Sequence, residues 1–350
     1  MTTEETSPFK RRDSTRTQRK AISLSTDELV KIGPLLPDSE LPLQIEPNVP
    51  GIDLTAWVAQ NRERLQQQLL RHGGILFRGF QSTLADFEAV MEAFSGKPET
   101  DPMRGSPLRN DTNSNVYIST EYPPQFSISL HNETWWQYIW PMKIFFYCHT
   151  AAREGGETPI ADCRRVLARL DPALVQRFVD QGVLCIRNFG ARFGRPWQPT
   201  FETEDRAVVE DFCRKNRIEF EWRDDDWLRT RHIRPAVTNH PQTGEALWFN
   251  TITHQHVSSQ FDAAADRREQ LLAAFGEDHA PFNTYYGDGS PIEPEVLEAI
   301  RTAYREESVA FPWQEGDILM LDNMLVAHGR RPFVGPRKIL VGMTEPHTLA

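Results

Sequence analysis

Hydrophobic positions in the N-terminal part of the chain follow a helical period. After Asp53, a favourable N-cap residue, large apolar residues recur three or four positions apart until the Gly73–Gly74 pair, and the pattern returns after Thr83. Each stretch predicts one amphipathic helix, with a buried strand over residues 75–80 between them. Residues 33–52 are rich in proline and are predicted to be loop. The apolar positions are Leu54, Trp57, Val58, Leu65 and Leu69 in the first helix, and Leu84, Phe87, Val90, Met91 and Phe94 in the second.

The rest of the chain consists mainly of short, strand-like segments bounded by turn residues. Many short strands with helices between them predict a mainly β fold with flanking helices, a sandwich or barrel core. Helical periodicity intervenes over residues 164–180, 206–215, 262–275 and 293–306. The predicted strands are residues 116–119, 126–133, 143–149, 183–188, 233–238, 246–249, 309–312, 317–321 and 337–344.

The chain is predicted to form one domain preceded by a tail. Residues 1–22 are basic and almost free of large apolar side chains, so they cannot bury enough surface to offset the entropy of ordering. Residues 23–350 are predicted to form the single domain. Within this domain, residues of roughly 190–300 are predicted to form an insert in the strand-rich core, and the insert is predicted to act as a lid.

Composition narrows the class of protein. The 350 residues are 39% hydrophobic and 25% charged, which is typical of a soluble globular protein. No apolar run approaches the ~18 residues of a membrane helix, and the polar N-terminus lacks the apolar segment of a signal peptide, so we expect a cytoplasmic protein without membrane partners. The net charge of -10 argues against a nucleic-acid partner. The four cysteines form no C-x-x-C pair and are predicted to be reduced, buried thiols.

Two candidate metal ligands lie at the end of one predicted strand. Side chains two apart on a strand point the same way, so His131 and Glu133 in "FSISLHNE" project from one face. An imidazole nitrogen beside a carboxylate oxygen suits a divalent transition metal. The pair alone is weak evidence, because the same spacing also occurs in ordinary strands.

A third candidate ligand follows an apolar strand near the C-terminus. His328 comes after "GDILMLDNMLVA", and Arg337 begins the next apolar strand. Two histidines and one carboxylate form the facial triad of non-haem Fe(II) oxygenases, which leaves metal positions open. A guanidinium at position 337 can bind a carboxylate through two parallel hydrogen bonds.

Several ordered segments together resemble the TauD/TfdA branch of the Fe(II)- and 2-oxoglutarate-dependent dioxygenases, in particular its SyrP-like and clavaminate-synthase-like members. The resemblance implies a double-stranded β-helix core, a jelly roll of the cupin type. It also implies Fe(II) as cofactor, 2-oxoglutarate as co-substrate and O2. The segments are "LLRHGGILFRGF", "STEYPPQFSISLHNE", "WPMKIFFYCHTAAREGGETPIADCRRVL", "TGEALWFN", "TYYGDGSPI" and "GDILMLDNMLVAHGRRPFVGPRKILVGM".

The resemblance also implies roles for individual residues. The family's H-x-D/E…H motif falls on His131, Glu133 and His328 and implies that they bind iron. The family's GG-[ED]-T block implies that Thr158 contacts 2-oxoglutarate, and the arginine after the distal histidine implies that Arg337 binds its far carboxylate.

Two departures from the family pattern narrow the substrate. Glu133 replaces the commoner aspartate, as in members that hydroxylate amino acids, and a carboxylate at this position argues against a halogenase. Val341 stands where taurine-type enzymes have a second arginine for the sulfonate, which argues against a taurine-like substrate.

These features predict an oxygenase of secondary metabolism, such as antibiotic biosynthesis, that hydroxylates an unactivated C–H bond and releases succinate and CO2. The substrate is expected to be amino-acid-like, either free or tethered to a peptidyl carrier protein. Desaturation or epoxidation, zinc-dependent hydrolysis with the same ligands, and a catalytically silent ligand-binding jelly roll stay open as alternatives. The "HQH" segment over residues 254–256 is predicted to have a structural or pocket role. Candidate substrate contacts are Glu121, Asn250, Arg330 and Arg331.

Overall fold

A computed structural model describes residues 26–96, 116–118, 122–190, 196–223, 226–259, 276 and 280–348. The predicted tail, Glu121 and the helix predicted over residues 262–275 lie outside these ranges. The strands are β1 (Val30–Leu36), β2 (Ser39–Pro47), β3 (Gly74–Phe77), β4 (Val116–Ile118), β5 (Ile128–His131), β6 (Ile139–Thr150), β7 (Glu154–Gly155), β8 (Ile160–Asp162), β9 (Val183–Phe189), β10 (Glu219–Arg223), β11 (Trp227–Arg234), β12 (Thr238–Asn239), β13 (Ala246–Leu247), β14 (Phe282–Tyr286), β15 (Ile318–Asp322), β16 (Val326–Arg330), β17 (Phe333–Val334) and β18 (Lys338–Thr348). The helices are α1 (Thr26–Leu29), α2 (Leu54–Gln60), α3 (Arg62–His72), α4 (Leu84–Ser95), α5 (Cys163–Arg169), α6 (Pro172–Gln181), α7 (Trp197–Phe201), α8 (Arg206–Lys215), α9 (Ile252–Gln255) and α10 (Pro294–Glu307), with a short 3-10 turn at Val257–Ser259.

The largest sheet has the strand order β1-β2-β3-β15-β6-β18-β4 and is buried on both faces of its central strands. Because strand side chains alternate, one face packs against helices α2, α3 and α4, and the other packs inside the β core. This double burial explains why the central strands are apolar at almost every position. The side chains towards the helices include Ile75, Phe77, Phe145, Tyr147, Ile318 and Met320; those towards the core include Leu76, Ile144, Phe146, Leu319 and Leu321.

A smaller sheet, β5-β16-β8, contributes to the same core. Ile160 and Ala161 of β8 and Val326 and Ala327 of β16 pack in one cluster with the inner face of the large sheet. The two-stranded pair β7–β17 lies next in the chain to β8 and β16. Two sheets enclosing one core are the jelly-roll arrangement that the resemblance implied, and the short sheet carries the two candidate histidines.

Residues between β9 and β14 build a further antiparallel sheet with the order β10-β11-β9-β14. Helices α7 and α8 pack on it through a separate apolar cluster. This sheet falls largely within the predicted insert of residues 190–300, and the role of that insert as a lid stays a prediction. The members of the cluster are Phe189, Trp197, Phe201, Val209, Cys213, Ile218 and Leu228.

The structure corrects several predicted elements. The proline-rich residues predicted as loop form β1 and β2. Pro34 lies on an edge strand beside a register shift, and Pro42 has no partner in either ladder, so neither proline removes a needed hydrogen bond. The helix predicted after Asp53 is two helices that meet at Asn61. Residues 309–312 form only an isolated pairing, between Val309 and Ile160.

A buried ion pair fixes the turn between β15 and β16. Asp322 accepts hydrogen bonds from Lys143 Nζ at 2.8 Å and from His240 Nε2 at 3.3 Å, and its other oxygen accepts from the backbone N–H groups of the following turn. Burial opposes ionisation of Asp322, but the positive charge of Lys143 and the bond from His240 outweigh it and lower its pKa. Both side chains of the ion pair are fully buried, so loss of either partner would leave an uncompensated charge in the core beside this turn.

Candidate metal centre

The two candidate histidines lie side by side on neighbouring antiparallel strands. His131 ends β5, His328 is in the middle of β16, and the two are direct register partners. Their ring centroids are 4.6 Å apart. The two histidines are 197 positions apart in the sequence, and the antiparallel pairing of β5 with β16 brings their side chains together.

Glu133 completes a group of three candidate ligands. Its Oε2 atom lies 3.7 Å from His131 Nε2 and 3.6 Å from His328 Nε2. One ligand atom from each residue falls within 4.8 Å of the others, and among the described residues no further His, Cys, Asp or Glu joins the group. Two imidazole nitrogens and one carboxylate oxygen that converge in this way fit a single divalent transition metal.

The backbone of Glu133 is held by the side chain of Asn323. Asn323 Oδ1 accepts from the Glu133 N–H at 2.8 Å, and its Nδ2 donates to the carbonyl oxygens of Glu133 at 3.0 Å and Pro141 at 2.9 Å. Asn132 points the opposite way from its two neighbours and donates to the Asn323 carbonyl at 2.7 Å. The alternation predicted for residues 131–133 is therefore present, and Asn323 ties it to the turn fixed by Asp322.

The pKa shifts of Glu133 and His328 suit metal binding. Burial and the neighbouring His131 lower the pKa of His328, against the opposing effect of Glu133, so its imidazole is neutral near neutral pH. Burial disfavours the charged form of Glu133, but its interactions with the two histidines outweigh this effect and lower its pKa. Neutral imidazoles and an ionised carboxylate are the forms that bind a metal.

The tautomer of His131 is also fixed. Its Nδ1 lies 2.8 Å from the Ser129 carbonyl oxygen, which can only accept, so Nδ1 carries the proton and Nε2 presents its lone pair to the site. On the other side of the ring, His254 of the "HQH" segment stacks at a centroid distance of 4.4 Å and an interplanar angle of 17°. Burial, together with the neighbouring His131, lowers the pKa of His254 to about 3. His254 thus forms one wall of the site without belonging to the ligand group.

A second set of residues forms a pocket for an anion. Arg337 Nε donates to the Gly156 carbonyl at 2.8 Å, and its Nη2 lies 3.5 Å from Thr158 Oγ1. Gly156 is required here, because a Cβ atom would lie 3.0 Å from Arg337 Cδ and its φ is +74°. A Cβ on Gly155 would lie 2.2 Å from the Pro332 carbonyl oxygen. The two glycines of the "GGET" segment therefore allow the β7 and β17 loops to approach closely around the guanidinium.

Arg337 has no carboxylate partner among the residues that the structure describes. Burial, together with repulsion from Arg330, lowers its pKa to about 10, which still leaves the guanidinium charged near neutral pH. The charge of Glu157 opposes this shift, but Glu157 forms no ion pair with Arg337, so the guanidinium can take an anionic ligand as its direct partner. This pocket fits the far carboxylate of 2-oxoglutarate, as the three grouped ligands fit Fe(II).

The residues predicted to contact substrate are placed differently. Asn250 is buried: its amide donates to the Ala236 carbonyl at 3.1 Å and accepts from the Ile252 N–H at 3.1 Å. Both terminal nitrogens of Arg330 donate hydrogen bonds to the backbone carbonyl oxygens of residues 122, 123 and 126. Arg331 is exposed, and its backbone N–H donates to the Glu157 carbonyl. Asn250 and Arg330 thus have other hydrogen-bonding roles, and Glu121 lies outside the described residues; their substrate contacts stay predictions.

A jelly roll that gathers two histidines and one carboxylate beside a cationic pocket defines the class of non-haem Fe(II) oxygenases. Residues 33–344 match the family described as "Taurine catabolism dioxygenase TauD, TfdA family". The chain belongs to this family. The predicted cofactor set of Fe(II), 2-oxoglutarate and O2 is that of the family, and the grouped ligands of this chain fit it.

Relatives and solved structures support the assignment. The chain is 39% identical over 282 residues to the dapdiamide synthesis protein DdaC of Enterobacter agglomerans, covering 81% of this chain and 85% of DdaC. It is 31% identical over 311 residues to a clavaminate synthase-like protein of Arabidopsis thaliana, covering 85% and 90% of the two chains. The fold is similar to that of PvcB from Pseudomonas aeruginosa, with a TM-score of 0.54 at 17% identity, covering 93% of this chain and 95% of PvcB. These structural neighbours confirm the predicted jelly-roll core.

In the described part of the chain, none of the helices has the length and apolar character needed to cross a bilayer.

Replacing Asn323 with alanine is expected to weaken Fe(II) binding by about 10- to 100-fold, the usual cost of losing a residue that orients a metal ligand. The substitution removes all three bonds that fix the Glu133 backbone and Pro141. Anaerobic calorimetric titration with Fe(II) measures the change. Asn216→Ala is the matched control: Asn216 is also a buried amide with backbone partners, at the end of α8. An equal loss of affinity in both variants would contradict the prediction.

Proposed function

We propose that this protein is an Fe(II)- and 2-oxoglutarate-dependent oxygenase that hydroxylates an unactivated C–H bond of an amino-acid-like substrate. The observation that carries the proposal is the convergence of His131, Glu133 and His328 on one point, in a chain that also holds a guanidinium, that of Arg337, with no carboxylate ion-pair partner among the described residues. A metal site alone is compatible with hydrolysis, whereas a metal site beside a pocket for a dicarboxylate supports 2-oxoglutarate chemistry.

In this proposal the three grouped side chains hold Fe(II), while Arg337 and Thr158 hold the far carboxylate of 2-oxoglutarate. When bound, Fe(II) and 2-oxoglutarate supply O2 activation, with succinate and CO2 as co-products. The protein contributes position: Ser129 sets the His131 tautomer, Asn323 sets the Glu133 backbone, and the stacked ring of His254 covers one side of the site. Packing of this kind also excludes water from the reacting atoms.

The substrate class is supported by the relatives. One relative bears the name dapdiamide synthesis protein and another is described as clavaminate synthase-like, so we place this protein in a comparable biosynthetic pathway that starts from amino acids. Delivery by a peptidyl carrier protein, and residence in the cytoplasm, belong to the proposal. Val341 is buried among apolar side chains, which agrees with a substrate that has no sulfonate to bind there.

The proposal is tested by adding 2-oxoglutarate to the Fe(II)-loaded protein without oxygen. A weak visible charge-transfer band is expected, because the keto acid then binds the metal directly. With O2 and a panel of free and carrier-bound amino acids, mass spectrometry is expected to find one compound that gains one oxygen atom and yields stoichiometric succinate. Loss of two hydrogens, or epoxidation of an alkene, would instead assign the desaturation or epoxidation alternative.

The zinc-hydrolase alternative predicts a different result. Zn(II) would then support turnover without 2-oxoglutarate, and no succinate would form. Absence of both the visible band and substrate-dependent succinate would overturn the proposed function.

A further inference from the structure

The hydroxyl group of Thr158 receives a hydrogen bond from an indole. Trp313 Nε1 donates to Thr158 Oγ1 at 3.1 Å, and both residues are buried. Arg337 Nη2 approaches the same oxygen at 3.5 Å. Neither an indole nor a guanidinium can accept a hydrogen bond, so both neighbours face the lone pairs of the hydroxyl oxygen.

The direction of the hydroxyl proton follows from this arrangement. A threonine hydroxyl has one proton to donate, and no described residue provides an acceptor for that of Thr158. A buried donor without an acceptor is costly, so the structure favours a ligand that supplies one. The space beside Arg337 is where the proposed function places the far carboxylate of 2-oxoglutarate.

Trp313 is itself rigidly placed. Its segment lies just before β15 and is anchored by Asp317, which accepts from the Gln314 N–H at 2.9 Å and from Arg78 at 2.6 Å. Arg78 also donates to the Pro312 carbonyl at 2.8 Å. The indole packs edge-on against Phe311. Because these contacts hold the segment around Trp313 in place, the indole N–H has a defined position relative to the Thr158 hydroxyl.

From this geometry we infer that Trp313 is a positioning residue for the co-substrate: its indole N–H commits Thr158 to act as a donor towards the 2-oxoglutarate carboxylate. The inference rests on the proposed function and adds a residue that acts through Thr158 without touching the co-substrate. Without the indole N–H, one lone pair of the hydroxyl oxygen loses its donor and the rotation of the hydroxyl about its C–O bond is no longer fixed, so part of its contribution to binding is lost.

Trp313→Phe tests the inference, because it removes the N–H and keeps an aromatic ring. In anaerobic calorimetry of the Fe(II)-loaded protein, we expect the Kd for 2-oxoglutarate to rise about three- to tenfold, the contribution of one hydrogen bond. In turnover, the KM for 2-oxoglutarate rises while kcat at saturation is retained. If the phenylalanine variant does not fold, Trp313→Leu provides the same loss of the donor.

Trp57→Phe is a matched control. Trp57 is also buried, its indole nitrogen has no hydrogen-bond partner among the residues that the structure describes, and it lies in the cluster between the helices and the large sheet. Its replacement is expected to leave the Kd for 2-oxoglutarate unchanged. A Trp313 variant that binds like the Trp57 variant would overturn the inference.

A double-mutant cycle with Thr158→Val separates positioning from general damage. If Trp313 acts through Thr158, the double variant binds 2-oxoglutarate no more weakly than Thr158→Val alone. Full additivity of the two losses would overturn the inference. Failure of the unmodified protein to bind 2-oxoglutarate would instead overturn the proposed function, so the two failures are distinct.

Discussion

Replacing Glu133 with glutamine is expected to lower Fe(II) affinity at least about 100-fold and to abolish succinate formation at ordinary Fe(II) concentrations. Loss of a residue that only orients a metal ligand already weakens metal binding by about 10- to 100-fold, so loss of a ligand itself is expected to weaken it at least as much. Glutamine keeps the size of the side chain and can still meet the backbone bonds from Asn323, which use the main chain of residue 133. The negative charge that faces the two imidazoles is what the substitution removes.

Fe(II) binding by anaerobic calorimetry and 2-oxoglutarate turnover by succinate formation measure the effect. Glu307→Gln is the control, because Glu307 is also a poorly exposed carboxylate and it binds Arg165 and Arg169 rather than the ligand group. That variant is expected to lose stability but to retain the wild-type Fe(II) affinity. Wild-type affinity in Glu133→Gln would show that the carboxylate is not a ligand.

Local sequence rules were sufficient to predict the placement of His131 and Glu133. Alternation is a short-range property of extended backbone, and it places both side chains on one face while Asn132 points into the core, although β5 ends at His131 and Glu133 lies in the turn that follows. Grouping His328 with them required pairing between strands that are distant in the chain. Residue spacing gives no such pairing, and the family resemblance supplied it.

Residues that support the site were beyond sequence reasoning for the same reason. Asn323 and Trp313 act on residues 190 and 155 positions away, and nothing in their local pattern distinguishes them from ordinary turn and core residues. Arg330 also has a supporting role that its local pattern does not indicate: its guanidinium holds backbone carbonyls of the loop before β5, and its predicted substrate contact stays a prediction.

The errors in secondary structure also have a physical cause. Proline content predicted loop for residues that form β1 and β2, because the edge position that makes a proline harmless depends on the assembled sheet. By contrast, α4 begins at Leu84 after Thr83 as predicted, since its capping box with Asp86 is local. Elements with local signals were thus predictable, and elements defined by distant partners were not.

Replacing Arg337 with methionine is expected to weaken 2-oxoglutarate binding by about 2–5 kcal/mol, roughly 30- to 5,000-fold in Kd, as for the loss of one partner of a buried charge pair. The methionine preserves much of the apolar stem beside Gly156 but removes the cation and the donors that face Thr158. Fe(II) affinity is expected to stay near the wild-type value, because Arg337 is not one of the grouped ligands.

The separation of these two affinities is what makes the Arg337 variant informative. Lys338→Met is its matched control, since Lys338 is the next residue, is exposed, and loses the same unit of charge. If Arg337 acted only by long-range electrostatic attraction, both variants would weaken 2-oxoglutarate binding to a similar extent, and the loss would depend on the salt concentration. A direct contact predicts weaker binding in the Arg337 variant alone. Equal 2-oxoglutarate affinities for the Arg337 variant and the wild type would place the co-substrate's far carboxylate elsewhere, and would remove the observation that distinguishes an oxygenase from a hydrolase with the same three ligands.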